Sequence, residues 1–431
     1  MRKMIGVLVV LLSALGCTGQ QEEVSPQEQD QLQAFTGMTL WDGGRGDPLA
    51  DAVLLVQNGR VLKVGAADEV EIPEGAERID LSGKNVIPGL INAHGHVGLA
   101  RGLESGPEVN TRENVLDQLG LYARYGVTTV LSLGGDGPAG FEARDEQNVP
   151  GLDRARLYVS GPVLAPDTPE EASRLVDEAV ERRVDWIKIR VDDNLGTTPK
   201  MTPDVFQAVI DQSHQRGLKV AAHVYYLEDA KALLKAGVDF IAHSVRDQAV
   251  DEELISLLKQ RDVCLCPTLT RELSTFAYAV VPDFFQDPFF LREADPAVLD
   301  QLKAPERQQR VRDSRSARLY RQALGQARAN LKALSEAGVR IAFGTDSGPP
   351  ARFQGYFEHL ELAMMADSGL SPLQVLRSAT GQAADCLGMT EVGVLEAGRW
   401  ADFVVLDGDP LTDILEARKI HSVWVGGQKM Q

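Results

Sequence analysis

"KVAAHVYYLEDAKALLKAGVDFIAHS" occupies residues 219–244. Two short apolar runs flank a helical stretch, and each run ends in a histidine, His223 and His243. The helical part stops at Gly237, a residue suited to the left-handed turn that ends a helix. Strand, helix and strand in succession read as a parallel pair, because a helical crossover returns the chain to run in the same direction.

The unit repeats. Apolar runs lie near 86–92, 127–133, 157–160, 186–190, 219–223, 239–243, 262–266 and 340–345, with helical patterns between most of them. "TPEEASRLVDEAVERR" opens on Thr168 as a cap with acidic residues in its first turn, and "TPDVFQAVIDQSHQRG" stops at Gly217. Eight such strands predict an α/β fold, a (β/α)8 TIM barrel over residues 86–390. The two ends have another rhythm. Short β-like runs fill 35–85, with Asn58-Gly59 as a hairpin turn, and return in 391–431. One small β-sandwich domain built from both chain ends is the economical expectation. Residues 283–328 exceed an ordinary connection and are aromatic at their start. They read either as a lid over the barrel mouth or as an extra surface helix pair.

The chain has 431 residues, 44% of them hydrophobic, enough for a large core and two domains. Its formal net charge of −18 excludes nucleic acid as a natural partner, since phosphate would be repelled. The first 16 residues, with Arg2 and Lys3 before an apolar stretch, have the layout of a secretory signal and are too short to span a membrane comfortably. Cys17, directly after "ALG", resembles the lipobox of bacterial lipoproteins. That resemblance implies cleavage before Cys17, its lipidation, and a polar tether over 17–34. With Thr18 rather than aspartate next, it implies a periplasm-facing lipoprotein on the outer membrane, touching the membrane only through its lipid. Cys264, Cys266 and Cys386 are expected to be small buried hydrophobes, because the first two are too close in one strand to pair and the count is odd.

In a barrel of parallel strands the chemistry collects at the strands' C-terminal ends. "INAHGHVG" (91–98) ends the first run with His94 and His96, which alternate and therefore face one side. "DWIKIRV" carries Lys188, the fifth and sixth runs end in His223 and His243, and "RIAFGTDSG" ends in Asp346. A lone histidine at a strand end is more often a hydrogen-bonded core residue than a ligand. Six such groups on strands one, four, five, six and eight are hard to explain as structure, and imidazoles with carboxylates are the usual ligands of zinc-like metals.

These segments resemble the amidohydrolase superfamily. "VIPGLINAHGHVG", "GVTTVLSLGG", "DWIKIRV", "HVYYLEDAKALLKAGVDFIAHS", "GVRIAFGTDSG" and "SPLQVLRSATGQAADCLGM" carry the likeness, which is greatest to the imidazolonepropionase-like and prolidase-like branch. The resemblance implies two divalent metal ions, with zinc the expected metal. His94, His96 and Asp346 would hold the more buried ion, His223 and His243 the more exposed one, and a carbamate on Lys188 would bridge both. It implies a metal-bridging hydroxide that attacks a carbonyl, with Asp346 as general base and then acid. Tyr225 would donate to the carbonyl oxygen or simply pack at the rim. Arg190 would bind a substrate carboxylate or pair with Asp192 or Asp193.

The expected function is hydrolysis of amide or other C–N bonds in a small-molecule substrate, such as a dipeptide or N-acyl amino acid. A lactonase or phosphotriesterase on the same centre, and a non-catalytic ligand-binding surface lipoprotein, are the alternatives; a homo-oligomer is compatible with all three. His214, His359 and His421 fall outside the pattern, His214 as an exposed helix residue and the others as structural groups.

Overall fold

The computed structural model describes residues 32–44 and 46–431. The expected signal segment, Cys17 and most of the tether lie outside the described residues. Among the described residues no helix is long and apolar enough to cross a membrane.

Both chain ends meet in one eight-stranded sheet. It runs from Gln428–Lys429 through Ile420–Val425, Phe403–Leu406, Asn85–Pro88, Gln33–Leu40 and Leu49–Gln57 to Arg60–Ala66, with Glu77–Asp80 alongside Gln33–Leu40. Asn58 and Gly59 both take positive φ, 52° and 74°, so the hairpin turn matches the twist of its strands. A core of Phe35, Met38, Leu54, Phe403 and Trp424 lies against one face of this sheet.

The first apolar run is split between two units. Asn85–Pro88 pairs antiparallel with Phe403–Leu406 in the end sheet, and Leu90–Gly95 begins the central unit. Gly89 makes the junction, where a Cβ atom would stand 2.0 Å from Thr128 Oγ1. No side chain fits there.

The central strands are parallel. Leu90–Gly95, Val127–Ser132 and Arg156–Val159 form one sheet. Ile187–Arg190, Val220–His223, Phe240–Ala242 and Cys264–Cys266 form another. Isolated parallel bridges join Leu164 to Ile189, Leu265 to Ile341, and Gly95 to Ser347. The expected eighth strand, 340–345, is therefore bridged at Ile341, with a second bridge just beyond it at Ser347, without forming a regular strand. Ala342 N donates to Leu265 O, while Thr345 N and Asp346 N both turn onto His94 O. Helices lie between the strands. Pro169–Glu181 is capped by Thr168, and Leu227–Ala236 ends at Gly237 with φ 100°. Residues 283–336 are mostly helical, and Phe284, Phe285 and Phe290 pack with Tyr356 and Phe357 in an aromatic cluster.

The cysteines depart from expectation. Cys264 and Cys386 form a disulfide, and among the described residues Cys266 is free and buried. The partners are 122 residues apart, one on a central strand and one on the helix Gly381–Leu387. Only the fold brings them together, so spacing along the chain carried no sign of it.

One buried ion pair ties the two units. Arg156 contacts Asp402 at 2.7 and 3.1 Å, and its guanidinium lies 4.1 Å from the Trp400 ring centre. Asp402 also accepts from Gly426 N. Replacing Asp402 by Ala strands a buried guanidinium and is expected to cost about 3–5 kcal/mol. A lowered urea midpoint would report it, and an unchanged midpoint would contradict this account of the junction.

Candidate metal centre

His94, His96, Lys188, His223, His243 and Asp346 line one cavity of about 260 Å³. Each comes from the end of a parallel segment. His94 lies within Leu90–Gly95 and His96 just beyond it; Lys188 lies within Ile187–Arg190, and His223 closes Val220–His223. His243 follows Phe240–Ala242 with φ 75°, and Asp346 has φ 57°. Left-handed backbone at two non-glycine residues is strained, and it turns both side chains inward at the point where the strands stop. Gly348, with φ 107°, lets the Asp346 loop lie against His96, since a Cβ there would meet His96 O at 2.2 Å.

The ligating atoms converge. His94, His243 and Asp346 each offer one within 4.8 Å of the others. His96 Nε2 is 2.8 Å and His94 Nε2 3.9 Å from Asp346 Oδ1. The His223 and His243 ring centres are 4.1 Å apart, and those of His94 and His243 are 4.7 Å apart.

Three imidazoles are oriented from behind. His96 Nδ1 meets Gly134 O at 2.8 Å, and His243 Nδ1 meets Thr268 Oγ1 at 2.7 Å. His223 Nε2 meets Asp192 Oδ2 at 2.8 Å. Such contacts fix which nitrogen is left to face the centre. Two buried polar atoms have no hydrogen-bond partner, His94 Nδ1 and Lys188 Nζ. Orphaned donors and acceptors of this kind are costly unless a ligand completes them.

Electrostatics suit metal ligation. Burial holds His94 and His243 well below the ordinary imidazole value, and pushes His223 down to about 3, so all three are neutral at pH 7. Burial also brings Lys188 down to about 7, leaving much of it as free amine. Burial draws the Asp346 carboxyl up, but Arg352 and His96 outweigh it and hold the group well below the usual range. Nitrogen and carboxylate donors with an unprotonated lysine fit divalent cations.

Other expected residues fall differently. Arg190 is exposed, lines the cavity and makes no ion pair among the described residues. Its pairing with Asp192 or Asp193 is not found, because Asp192 is engaged by His223 and Asp193 accepts from Tyr226 Oη. Tyr225 is not part of the cavity wall; its ring lies 4.7 Å from the Arg246 guanidinium and 4.9 Å from Tyr226. His214 pairs with Asp239, His359 with Tyr125 O, and His421 with Asp407, all away from the centre.

Sequence reasoning missed Asp192 as the partner of His223. It also missed two cavity-lining arginines, Arg271 and Arg352. The rule that singled out the candidate ligands would have reached both, since Arg271 follows the Cys264–Cys266 strand and Arg352 stands in the loop after Asp346.

Converging imidazoles, a carboxylate and a buried lysine at the ends of parallel strands make a donor set of the kind that holds divalent metals. A family model for the amidohydrolase family matches residues 85–430. The chain belongs to the amidohydrolase family and is a hydrolase acting on carbon–nitrogen bonds. An uncharacterized protein of Mycobacterium bovis is 25% identical over 360 residues, covering 80% of this chain and 84% of its own. A 5-methylthioadenosine/S-adenosylhomocysteine deaminase of Bacillus thuringiensis is 23% identical over 392 residues, covering 84% and 82%. Among solved structures, a Xaa-Pro dipeptidase with bound methionine superposes with a TM-score of 0.76 at 21% identity, covering 93% of this chain and 100% of that one.

Asp192 sits behind the centre, so Asp192→Ala is expected to weaken metal binding about 10–100-fold. Metal titration of the purified variant would measure this, and wild-type affinity would contradict the orienting role.

Proposed function

We propose that this chain is a metal-dependent hydrolase of amide bonds in small substrates such as dipeptides or N-acyl amino acids, with a binuclear centre at the mouth of a closed (β/α)8 barrel. One observation carries the reading: six side chains of metal-ligating type, from five strand ends, line a single cavity while His94 Nδ1 and Lys188 Nζ stay unpartnered. His94, His96 and Asp346 would hold one ion, and His223 and His243 the other. Lys188 would join them as a carbamate, formed when its free amine adds carbon dioxide and releases a proton. The parallel bridges at Leu164, Leu265 and Gly95 support ring closure of the strands, and the eight-stranded end sheet supports a separate β domain of sandwich type.

When bound, zinc-like ions supply a water that is acidic at neutral pH and polarise the carbonyl under attack. The chain's own residues do the rest. Asp346 takes a proton on one carboxylate oxygen and passes it to the departing nitrogen. Asp192, Thr268 and the Gly134 carbonyl keep three imidazoles in the required orientation. The likeness to a Xaa-Pro dipeptidase in fold and to a deaminase in sequence agrees with this reading.

Export as a lipoprotein anchored through Cys17 belongs to the same proposal. The Cys264–Cys386 disulfide favours it, because disulfides persist in oxidising compartments.

Replacing Asp346 by Asn keeps the shape of the side chain and removes its proton transfer. Turnover of dipeptides or N-acyl amino acids is expected to fall by about 10²–10⁴-fold with the fold intact by circular dichroism. Wild-type turnover in that variant would remove Asp346 from the reaction.

A further inference from the structure

The stretch "ERQQRVRDSRSARLYR" (306–321) runs against the composition of the chain. It holds six arginines and two acids in a protein whose net charge is −18. It covers most of the helix Pro305–Asp313, none of whose residues is buried, and the start of the helix Arg315–Glu336. Arg310, Arg312, Arg315, Arg318 and Arg321 are exposed, and Arg307 is half-buried. Elsewhere exposed arginines meet carboxylates, as Arg112 meets Glu146 and Arg124 meets Glu293. Here the partners are neutral. Arg312 donates to Gln309 Oε1 and Ala279 O, and Arg315 donates to Leu195 O. Among the described residues none of the six arginines forms an ion pair, and the nearby Asp313 accepts from Gln309 instead.

These cations border apolar surface. Val280 is 61% and Val281 45% exposed. Arg312 reaches the carbonyl just before Val280, and the Arg321 guanidinium lies 4.9 Å from the Phe276 ring centre. An open groove of about 560 Å³, lined by Leu273, Ala277, Val280, Val281, Phe284 and Leu360, continues the apolar surface. Unpaired cations beside exposed aliphatics suit a membrane surface, where the cations meet anionic headgroups and the aliphatics meet the acyl boundary.

We propose that residues 306–321, with Val280 and Val281, form a docking surface for an anionic phospholipid bilayer. The proposal is independent of the hydrolase reading and takes from the lipoprotein reading only the nearness of a bilayer. From Cys17 to Leu32 the chain spans at most about 50 Å, which would keep the domain close to the membrane. The membrane contact would then not run through the lipid alone. The overall negative charge does not oppose it, because charges are felt over only about 8 Å at physiological salt and the acids of other faces are screened. Docking sets the rim of the metal cavity beside the bilayer. Arg315 bonds the loop that follows Ile187–Arg190, and the Tyr320 ring lies 4.1 Å from the guanidinium carbon of Arg271 in the cavity wall.

The test uses the chain from Thr18 onward, which keeps every described residue and carries no lipid. It is sedimented with vesicles of phosphatidylglycerol and phosphatidylethanolamine, and with vesicles of phosphatidylcholine. Binding to the anionic vesicles is expected to be at least about tenfold stronger and to fall as salt is raised. Arg310→Gln, Arg318→Gln and Arg321→Gln combined should bring it to the phosphatidylcholine level. Arg78→Gln, Arg174→Gln and Arg182→Gln combined remove the same charge from other exposed sites and should leave it unchanged. A polarity-sensitive fluorophore on Val280→Cys should shift to the blue with anionic vesicles, while one on Leu62→Cys in the end sheet should not. Equal binding to both kinds of vesicle, or equal loss in the two triple variants, overturns the proposal. So does self-association that the patch variant abolishes in a protein that binds no vesicles, which would assign the surface to a second copy of the chain. Because no lipid is present, a negative result strikes the patch and not the anchor, whose own test is loss of membrane attachment of the full chain in Cys17→Ser.

Discussion

The centre depends on how the loop around Asp346 lies against the strand Leu90–Gly95. Two successive amides, those of Thr345 and Asp346, donate to the single carbonyl of His94, at 3.2 and 2.6 Å. Behind them Glu358 Oε1 accepts from Asn92 Nδ2, Thr345 Oγ1 and Ser347 Oγ within 2.6–2.7 Å. This buried carboxylate joins the first strand to the last segment from the side away from the cavity. Burial raises its pKa, and the hydroxyl donors of Ser347 and Thr345 counter that. The clamp fixes His94, His96 and Asp346 relative to one another by tying the first central strand to the last segment. Regular strand geometry would not serve here, since Asp346 points inward only by leaving the β region.

The chemistry then follows from placing polar groups where water is scarce. Burial keeps His94, His223 and His243 neutral and frees much of the Lys188 amine, which are the protonation states a metal needs. The same burial makes every unpaired charge expensive, and the cavity resolves this unevenly. Asp346 is contacted by His96 and Arg352 at 2.8 and 2.6 Å, with Arg271 Nε farther away at 3.9 Å. Arg271 has less than a full complement of acceptors.

Much of the fold was legible because it rests on local pattern. Strand and helix periodicity, the Thr168 cap, the Gly237 stop and the Asn58-Gly59 turn are each set by neighbouring residues. That the six candidate residues converge on one cavity was legible for a related reason, since the ends of apolar runs coincide with the ends of strands. The failures share the opposite character. The disulfide joins Cys264 to Cys386 across the fold, and no spacing rule reaches that far. The nearest acids to Arg190 in sequence belong to other partners, because Asp192 turns to His223 and Asp193 to Tyr226. Tyr225 shares a parity with His223, but Val220–His223 has ended before it, so the alternation that placed His94 and His96 no longer applies. The break at Gly89 depends on a contact with Thr128, which the sequence around it does not record.

Metal stoichiometry tests the proposed centre most directly. The soluble chain from Thr18 onward, produced with zinc and bicarbonate supplied, should carry about two ions per chain by elemental analysis. Lys188→Ala should reduce that to about one. A protein that binds no divalent ion after reconstitution would contradict the assignment of His94, His96, His223, His243 and Asp346 as a metal site.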